Sequence, residues 1–289
     1  MQFSSKENID KKQEIKSGLY VVSTPIGNLE DMTLRAIYIL KNSELILCED
    51  TRISIKLLKK FNINTKMISY HKFNEKKRLG KIIQIIKNNK IVSLISDAGT
   101  PVISDPGMIL IKECIKNNIA LHPVPGASAV TSALSVSGFD EKFLFYGFLP
   151  NSETQIKNEI KNLYDFPYSI IFFVSSNKIN KVIKIFKIFF SERKIMIAKE
   201  MTKIYESFIR NEVNSLDVSK YNLKGELTVV ISNKLNVKKK SLNELGESVR
   251  SEIKLMLKKY SNKDVSNFIS KREKISKKII YDYCISLKK

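Results

Sequence analysis

Short apolar segments alternate with helical patterns through the first half of this chain of 289 residues. The segments LYVVST (19–24), LILCED (45–50) and IVSLIS (91–96) have the length of strands, and KKRLGKIIQIIKNN (76–89) has the period of a helix. This succession predicts an α/β domain with a largely parallel sheet. In such sheets, ligands bind at the loops that follow the carboxyl ends of the strands.

The pattern changes twice along the rest of the chain. From residue 147 it is that of a smaller α/β unit, in which the strands predicted at 194–199 and 204–209 have the character of a hairpin. From residue 235 the segments are helical and basic. The sequence therefore predicts four parts: a mobile polar tail (1–17), an α/β domain with the ligand loops (18–146), a second α/β domain (147–234) and a basic helical domain (235–289).

No apolar run approaches the roughly 20 residues that a membrane-spanning helix needs, and the first seventeen residues lack the apolar core of a signal peptide. We therefore expect a cytoplasmic protein. Its cysteines, Cys48, Cys114 and Cys284, are far apart and odd in number, which argues against a disulfide framework and against a zinc site. With only two histidines, a Ser-His-Asp hydrolase is hard to build. No metal is expected.

The formal net charge of the chain is +21 at pH 7, from 50 basic and 29 acidic residues. A polyanionic partner explains such a charge, because neutralised phosphates release counterions and dominate nucleic-acid affinity. Compositional drift explains it too, since only seven of the basic residues are Arg and Lys, Ile and Asn recur everywhere. Residues 234–289 carry 16 basic and 6 acidic side chains, and this local concentration favours the polyanionic partner.

Three predicted strands of the first α/β domain end in loops of small and rigid residues. The loops are STPIGN (23–28), SDAGTP (96–101) and PVPGASA (123–129). They expose backbone N–H and C=O groups with no bulky side chain to hold a ligand off. The dinucleotide fingerprint G-x-G-x-x-G and the lysine of a P-loop are both absent from them. Together the loops indicate a cleft for a small molecule at one edge of the sheet.

Single residues near these loops have structural explanations as well. Asp105 followed by Pro106 is a suitable helix start, and we assign Asp105 to the N-cap. An Asx-turn is enough to account for Asp97 at the end of its strand. Ser128 either caps the following helix or faces a carboxylate of the ligand.

Five motifs occur in the order and approximate spacing of a known family: TPIGN (24–28), EDTR (49–52), SDAGTP (96–101), SDPG (104–107) and PGASA (125–129). In these motifs the chain resembles the tetrapyrrole-methylase superfamily of S-adenosylmethionine-dependent methyltransferases. Within it, the chain is similar to the branch that methylates a ribose 2′-hydroxyl of a cytidine in bacterial small-subunit (16S) ribosomal RNA. The resemblance covers roughly residues 18–289 and continues through GFLP (147–150) and KGEL (224–227).

The resemblance implies two α/β domains of the tetrapyrrole-methylase type with S-adenosylmethionine in the cleft between them, plus a small C-terminal helical domain. It also implies a homodimer whose partner is 16S ribosomal RNA or the assembled small ribosomal subunit. By match to the motifs, ten residues would line the cofactor site: Pro25, Gly27, Asp97, Ala98, Gly99, Pro101, Pro125, Gly126, Ser128 and Ala129.

Methyl transfer to a hydroxyl needs a base or a nearby cation, because a neutral 2′-hydroxyl is a poor nucleophile. The catalytic candidates are Glu49, Asp50, Arg52 and Lys203, with Lys199, Glu200 and Glu206 beside the last of them. Turn chemistry and an ion pair with Arg52 are an alternative explanation of Glu49 and Asp50. Lys203 is alternatively a phosphate ligand.

The chain departs from the family's pattern at two places. The family has Lys-Gly-Arg-Arg where residues 154–157 are TQIK, and it has Phe-Tyr-Glu-Ser with a following His-Arg where this chain has FFVS (172–175), then Asn177 and Lys178. Loss of these groups would alter RNA binding or activity. Two other functions therefore stay open: an RNA- or ribosome-binding protein that has lost catalysis, and a methylase of the superfamily that acts on a tetrapyrrole-like small acceptor.

The C-terminal segment has a helix-turn-helix pattern in KDVSNFISKREKISKKIIYDYC. Its apolar positions, among them Val265, Phe268 and Ile269, predict one buried face. The lysines between them would then face outward onto RNA phosphates. An ordinary solvated basic face is the alternative.

Overall fold

The computed structural model describes residues 15–234, 245–273 and 275–287, except for the side chain of residue 248. They belong to two compact units, one that ends at Lys234 and one that starts at Leu235. The predicted polar tail, residues 1–17, lies almost entirely outside the described residues.

The first unit begins with a five-stranded sheet. Its strands are β1 (Gly18–Val22), β2 (Leu45–Cys48), β3 (Met67–Ser69), β4 (Ile91–Leu94) and β5 (Leu121–Val124). They stand in the order β3-β2-β4-β1-β5, and every pairing is parallel, as the sequence predicted. The helices that alternate with them are α1 (Leu34–Lys41), α2 (Thr51–Lys60), α3 (Glu75–Lys87), α4 (Met108–Lys116) and α5 (Ala129–Ser135).

Both faces of this sheet are covered, which is why a central strand such as β2 is continuously apolar rather than alternating. In β2, Ile46 and Cys48 pack into a cluster with residues of α1 and α2. Leu45 and Leu47, which point the other way, pack into a second cluster with residues of α3 and α4. Because β4, β1 and β5 are parallel neighbours, the loops that follow them emerge together at the carboxyl edge of the sheet.

A second five-stranded sheet completes the first unit. Its strands are β6 (Phe143–Phe148), β7 (Ser169–Ser175), β8 (Lys194–Lys199), β9 (Ser207–Glu212) and β10 (Glu226–Ile231), in the order β6-β7-β10-β8-β9. Only the pair of β6 and β7 is parallel. Helices α6 (Glu153–Asn162) and α7 (Ile179–Phe189) cover one face.

The other face of the second sheet packs on the first half of the unit. Ile171, Met196 and Val230 from this sheet form a buried cluster with Ala133 of α5 and with Ile26 from the loop after β1. The second sheet is thus held directly over the loops at the carboxyl edge of the first. Two α/β sheets with this arrangement agree with the predicted fold class.

Two boundaries differ from the sequence prediction. The strand expected at 204–209 begins at Ser207, because residues 200–206 form a turn in which Glu200 and Thr202 adopt φ of 49° and 66°. Residue 147, the predicted start of the second α/β domain, lies within β6, where Gly147 has φ of 85° next to a register shift.

The second unit consists of α8 (Glu247–Met256), α9 (Asn262–Glu273) and α10 (Lys277–Ser286). Val265 and Ile269, one helical turn apart, belong to its buried cluster. Phe268 does not: it is 53% exposed and lies against the guanidinium of Arg272. The prediction that Phe268 shares the buried face was wrong, because its position on the helix is rotated away from that face. In the described ranges, no helix is long and apolar enough to cross a membrane.

Candidate cofactor site

The three small-residue loops meet at one edge of the first sheet. Thr24 and Gly99 form an antiparallel bridge, in which each backbone N–H donates to the other residue's carbonyl at 2.9 and 3.0 Å. The hydroxyl oxygens of Ser23 and Thr100 are 2.9 Å apart, and the Thr100 hydroxyl donates to the Ala127 carbonyl at 3.4 Å. Hydrogen bonds therefore join the loops into one continuous rim.

A cavity of about 370 Å³ lies between this rim and the second sheet. The first half of the unit contributes Ile26, Asp97, Ala98, Gly99, Thr100, Ile103, Ser104, Asp105, Ser128, Ala129 and Val130 to its lining. The second half contributes Phe148, Phe173, Val174, Ser175, Ser176, Gly225, Glu226, Leu227 and Thr228. Pockets that hold small molecules typically measure about 300–1,000 Å³, so this one is large enough for a ligand of that class.

Half of the residues predicted to bind the cofactor line this cavity: Asp97, Ala98, Gly99, Ser128 and Ala129. The other half, Pro25, Gly27, Pro101, Pro125 and Gly126, are not part of its lining. The two glycines among them have packing roles, because a Cβ on Gly27 would lie 2.5 Å from Cγ of Lys203 and one on Gly126 would lie 3.0 Å from Cβ of Ser23. Contact between these five residues and the cofactor stays a prediction.

Gly99 has a conformation that only glycine adopts easily, with φ of 77°. A Cβ there would lie 3.3 Å from Cγ2 of Ile26 at the cavity wall. The loop thus presents bare backbone to the cavity. Ser128, at the start of α5, makes no capping hydrogen bond and lines the cavity instead.

Asp97 connects two strand ends. Its carboxylate accepts the backbone N–H of Asp50 at 3.1 Å, and so links the end of β4 to the end of β2. This contact takes the place of the Asx-turn that the sequence allowed. Burial raises the pKa of the Asp97 carboxyl, and the hydrogen bond from Asp50 opposes that shift.

Asp105 is not a helix cap, and this prediction was wrong. Gly107, with φ of 126°, immediately precedes α4, and no side chain caps that helix. Because glycine tolerates this φ, the chain enters the helix after Gly107, two residues later than the Asp105-Pro106 pair predicts. Asp105 instead lines the cavity. Burial raises the pKa of its carboxyl to about 6, and the nearby charge of Glu49 adds to this shift, whereas a hydrogen bond with the Ser96 hydroxyl opposes it.

The EDTR motif begins a helix. The Asp50 carboxylate caps α2 by accepting the N–H of Arg52 at 2.8 Å, and it also binds the Arg52 guanidinium, with Oδ2 and Nη2 2.6 Å apart. These hydrogen bonds hold the pKa of Asp50 at about 2. Neither residue, nor Glu49, lines the 370 Å³ cavity. The contacts of Asp50 and Arg52 agree with turn chemistry and an ion pair, and a catalytic role stays a prediction.

Lys203 is held by two carboxylates. Its Nζ lies 3.2 Å from Oε1 of Glu200 and 2.9 Å from Oε2 of Glu226. Burial lowers the pKa of Lys203, but the two carboxylates outweigh it, and the net shift is upward. Lys203 therefore stays a cation at neutral pH. With Gly27 it lines a neighbouring open cavity, and not the one at the rim. Glu206 accepts the N–H of Thr202 at 2.7 Å and so stabilises the turn.

Sequence reasoning missed the lining from the second sheet. Phe148 and Phe173 form an aromatic pair there, with ring centroids 5.3 Å apart, and Glu226 and Leu227 belong to the strand β10. The motifs GFLP and KGEL belong to the resemblance and lie at these positions, but the sequence alone assigns them no role.

Comparison with known proteins decides the family. The family model described as Tetrapyrrole (Corrin/Porphyrin) Methylases matches residues 18–217, which include both sheets up to β9. This chain belongs to the tetrapyrrole methylase family. It is therefore an S-adenosylmethionine-dependent methyltransferase, as the motifs predicted.

Similar proteins and structures extend this assignment. The protein named Ribosomal RNA small subunit methyltransferase I of Rickettsia prowazekii is 44% identical over 79% of this chain and 83% of its own length. The protein of the same name from Buchnera aphidicola is 37% identical over 92% of this chain and 96% of its own. A Thermus thermophilus uroporphyrin-III C-methyl transferase, solved in complex with S-adenyl homocysteine, has a TM-score of 0.53 at 13% identity and covers 74% of this chain and 97% of its own, which shows the same fold.

The charges of the cavity suit the methylase cofactor. Asp97 and Asp105 contribute carboxylates to the lining, whereas the Glu226 carboxylate is paired with Lys203. No Lys or Arg is among the described lining residues. S-adenosylmethionine carries a sulfonium and an ammonium group besides its own carboxylate, a net charge of one positive, so a partly apolar pocket with acidic residues and no side chain at Gly99 fits it.

Replacement of Gly99 tests this placement. We expect Gly99→Val to weaken S-adenosylmethionine binding at least tenfold in isothermal titration, because a side chain would occupy the cavity wall. Gly138 is the matched control, since it has a similar φ of 74° but no atom within 4 Å of the position that a Cβ would take. Both Gly99→Val and Gly138→Val should lose roughly 1–2 kcal/mol of unfolding free energy from the strained backbone. Equal cofactor affinity in the two variants would place the cofactor elsewhere.

Proposed function

We propose that this chain methylates a ribose 2′-hydroxyl of a cytidine in 16S ribosomal RNA, with S-adenosylmethionine as the methyl donor. The proposal rests on the similarity of this chain to the Buchnera protein named Ribosomal RNA small subunit methyltransferase I. That similarity covers 92% of this chain and 96% of the Buchnera protein. The substrate is the RNA itself or the assembled small subunit. The protein acts in the cytoplasm as a homodimer.

The bound cofactor supplies an electrophilic methyl group on a sulfonium centre. The chain's own residues position the reactants and exclude water. Ile103, Val130 and Leu227 give the cavity apolar walls, and the lack of a side chain at Gly99 lets the nucleoside lie close to the main chain.

Asp105 accepts the proton that the hydroxyl loses. Of the four catalytic candidates, Asp50 is too weak a base with a pKa of about 2, and Arg52 and Lys203 stay cations. The fourth, Glu49, does not line the cavity. Asp105 lines the cavity, and its pKa of about 6 is close to that of an efficient general base at neutral pH. The charged groups that face it are Glu49 and Asp97, both acidic, so no cation stabilises its ionised form in the described residues.

The pH dependence of methyl transfer tests this role. Because the base must be ionised, the wild-type rate should be full above pH 7 and fall as the pH drops through about 6. At saturating S-adenosylmethionine, Asp105→Asn should lower kcat roughly 100-fold or more and abolish that acidic limb. Asp140→Asn, an exposed aspartate outside the cavity, is the control. An Asp105→Asn enzyme with the wild-type pH profile would show that another group takes the proton.

The departures at 172–175 and at Asn177 motivate the rival function, an RNA- or ribosome-binding protein without catalysis. Solved tetrapyrrole methylases are about 12–16% identical to this chain, so they support the shared fold and not a tetrapyrrole substrate. The proposed function and its rivals differ in whether a methyl group is transferred and in which acceptor receives it.

Purified small subunits, taken from cells that lack the protein, provide the test. With the wild-type protein and labelled S-adenosylmethionine, we expect about one methyl group per subunit, mapped by mass spectrometry to the ribose of a cytidine. Cofactor binding without incorporation would favour the RNA-binding rival. A methyl group on a base instead of a ribose would contradict the proposed chemistry.

A further inference from the structure

A second pocket, of about 270 Å³, opens next to the cofactor cavity. It lies between the start of α7 and the segment that leads into β10. Six polar side chains line it: Ser176, Asn177, Asn180, Ser219, Asn222 and Lys224. Tyr221 adds an aromatic ring to the wall.

The two cavities are neighbours in space and in sequence. Ser176 lines both of them. Lys224, on the wall of the second pocket, is followed directly by Gly225 and Glu226, which line the cofactor cavity. A polymer whose one unit faces the cofactor can therefore place an adjacent unit in the second pocket.

The amide side chains of this pocket have hydrogen-bonding groups left for a ligand. The side-chain amides of Asn177 and Asn180 form no hydrogen bond with the described residues. Asn222 accepts only the backbone N–H of Lys224, at 3.3 Å. Each free amide offers both donors and an acceptor.

These groups are the ones that recognise an unpaired nucleobase. Proteins bind single-stranded RNA by stacking bases on aromatic rings and by hydrogen bonds to their polar edges. Tyr221 is 39% exposed, which leaves part of its ring open for stacking. No carboxylate lines the pocket, and Lys224 supplies a positive charge for a phosphate. The nearby Asp217 is occupied by the Ser219 hydroxyl, which donates to it at 2.6 Å.

We propose that this pocket, formed by Asn177, Asn180, Tyr221 and Asn222, binds a nucleobase adjacent to the nucleotide that is methylated. The inference rests on the proposed function for the identity of the strand. The start of α7 and the turn before β10 would then help to select the RNA sequence next to the methylated nucleotide. Base stacking on Tyr221 supplies affinity, and the amides read the polar edge of the base.

Two sets of variants test the pocket. Tyr221→Ala and the double variant Asn177→Ala/Asn180→Ala should each weaken binding of a labelled eight-nucleotide RNA with the target sequence about tenfold, measured by fluorescence anisotropy. The KM for small subunits should rise by a similar factor, and the Kd of S-adenosylmethionine should not change. Tyr221→Phe, which keeps the ring, should bind the RNA like the wild type.

The controls lie on other elements of the second sheet and its helices, outside the pocket. Tyr168, which directly precedes β7, is 40% exposed and sits at the opposite end of the strand from Ser176. Asn162 is an exposed amide at the end of α6. Tyr168→Ala and Asn162→Ala should bind RNA and cofactor like the wild type.

The outcomes separate this inference from the proposed function. If the wild type methylates small subunits and the pocket variants behave like the controls, the nucleobase site is wrong and the function stands. If the wild type binds the RNA through Tyr221 but transfers no methyl group, the site stands and the proposed function fails. Equal loss of RNA binding in Tyr221→Phe and Tyr221→Ala would contradict stacking.

Discussion

The pair of hydrogen bonds between Thr24 and Gly99 is the contact on which the rest of the site depends. It joins the loop after β1 to the loop after β4, although the two are far apart in sequence. The parallel order of the first sheet makes this possible, because β1 and β4 are neighbours and end at the same edge. The bridge in turn requires a residue at position 99 that tolerates a positive φ, which explains the glycine there.

The second sheet converts this rim into a cavity. Ile26, from the loop that the bridge holds, packs into the cluster under β7, β8 and β10. The same loop therefore shapes the wall of the cavity and anchors the sheet that covers it. Gly27 continues this contact, because only a residue without a side chain fits against the turn at Met201 to Lys203. Function and packing share residues here, so loop motifs alone cannot tell the two roles apart.

The sequence was informative where one local pattern determines the outcome. Strand length and apolar runs predicted the parallel sheet, and the small residues after β1, β4 and β5 predicted a cleft at its edge. It failed where a neighbouring glycine or a distant contact decides. The Asp105-Pro106 pair predicts a cap, but Gly107 allows the helix to start later and leaves Asp105 at the cavity. The second-sheet lining depends on how the two sheets pack, and no local pattern encodes that.

A crystal structure of the protein with S-adenosylhomocysteine tests the central claim most directly. The account predicts that the nucleoside lies against main-chain atoms of residues 97–100 and that its amino acid portion lies within the carboxylate-lined cavity. A ligand seated in the neighbouring open cavity, against Gly27 and Lys203, would contradict it.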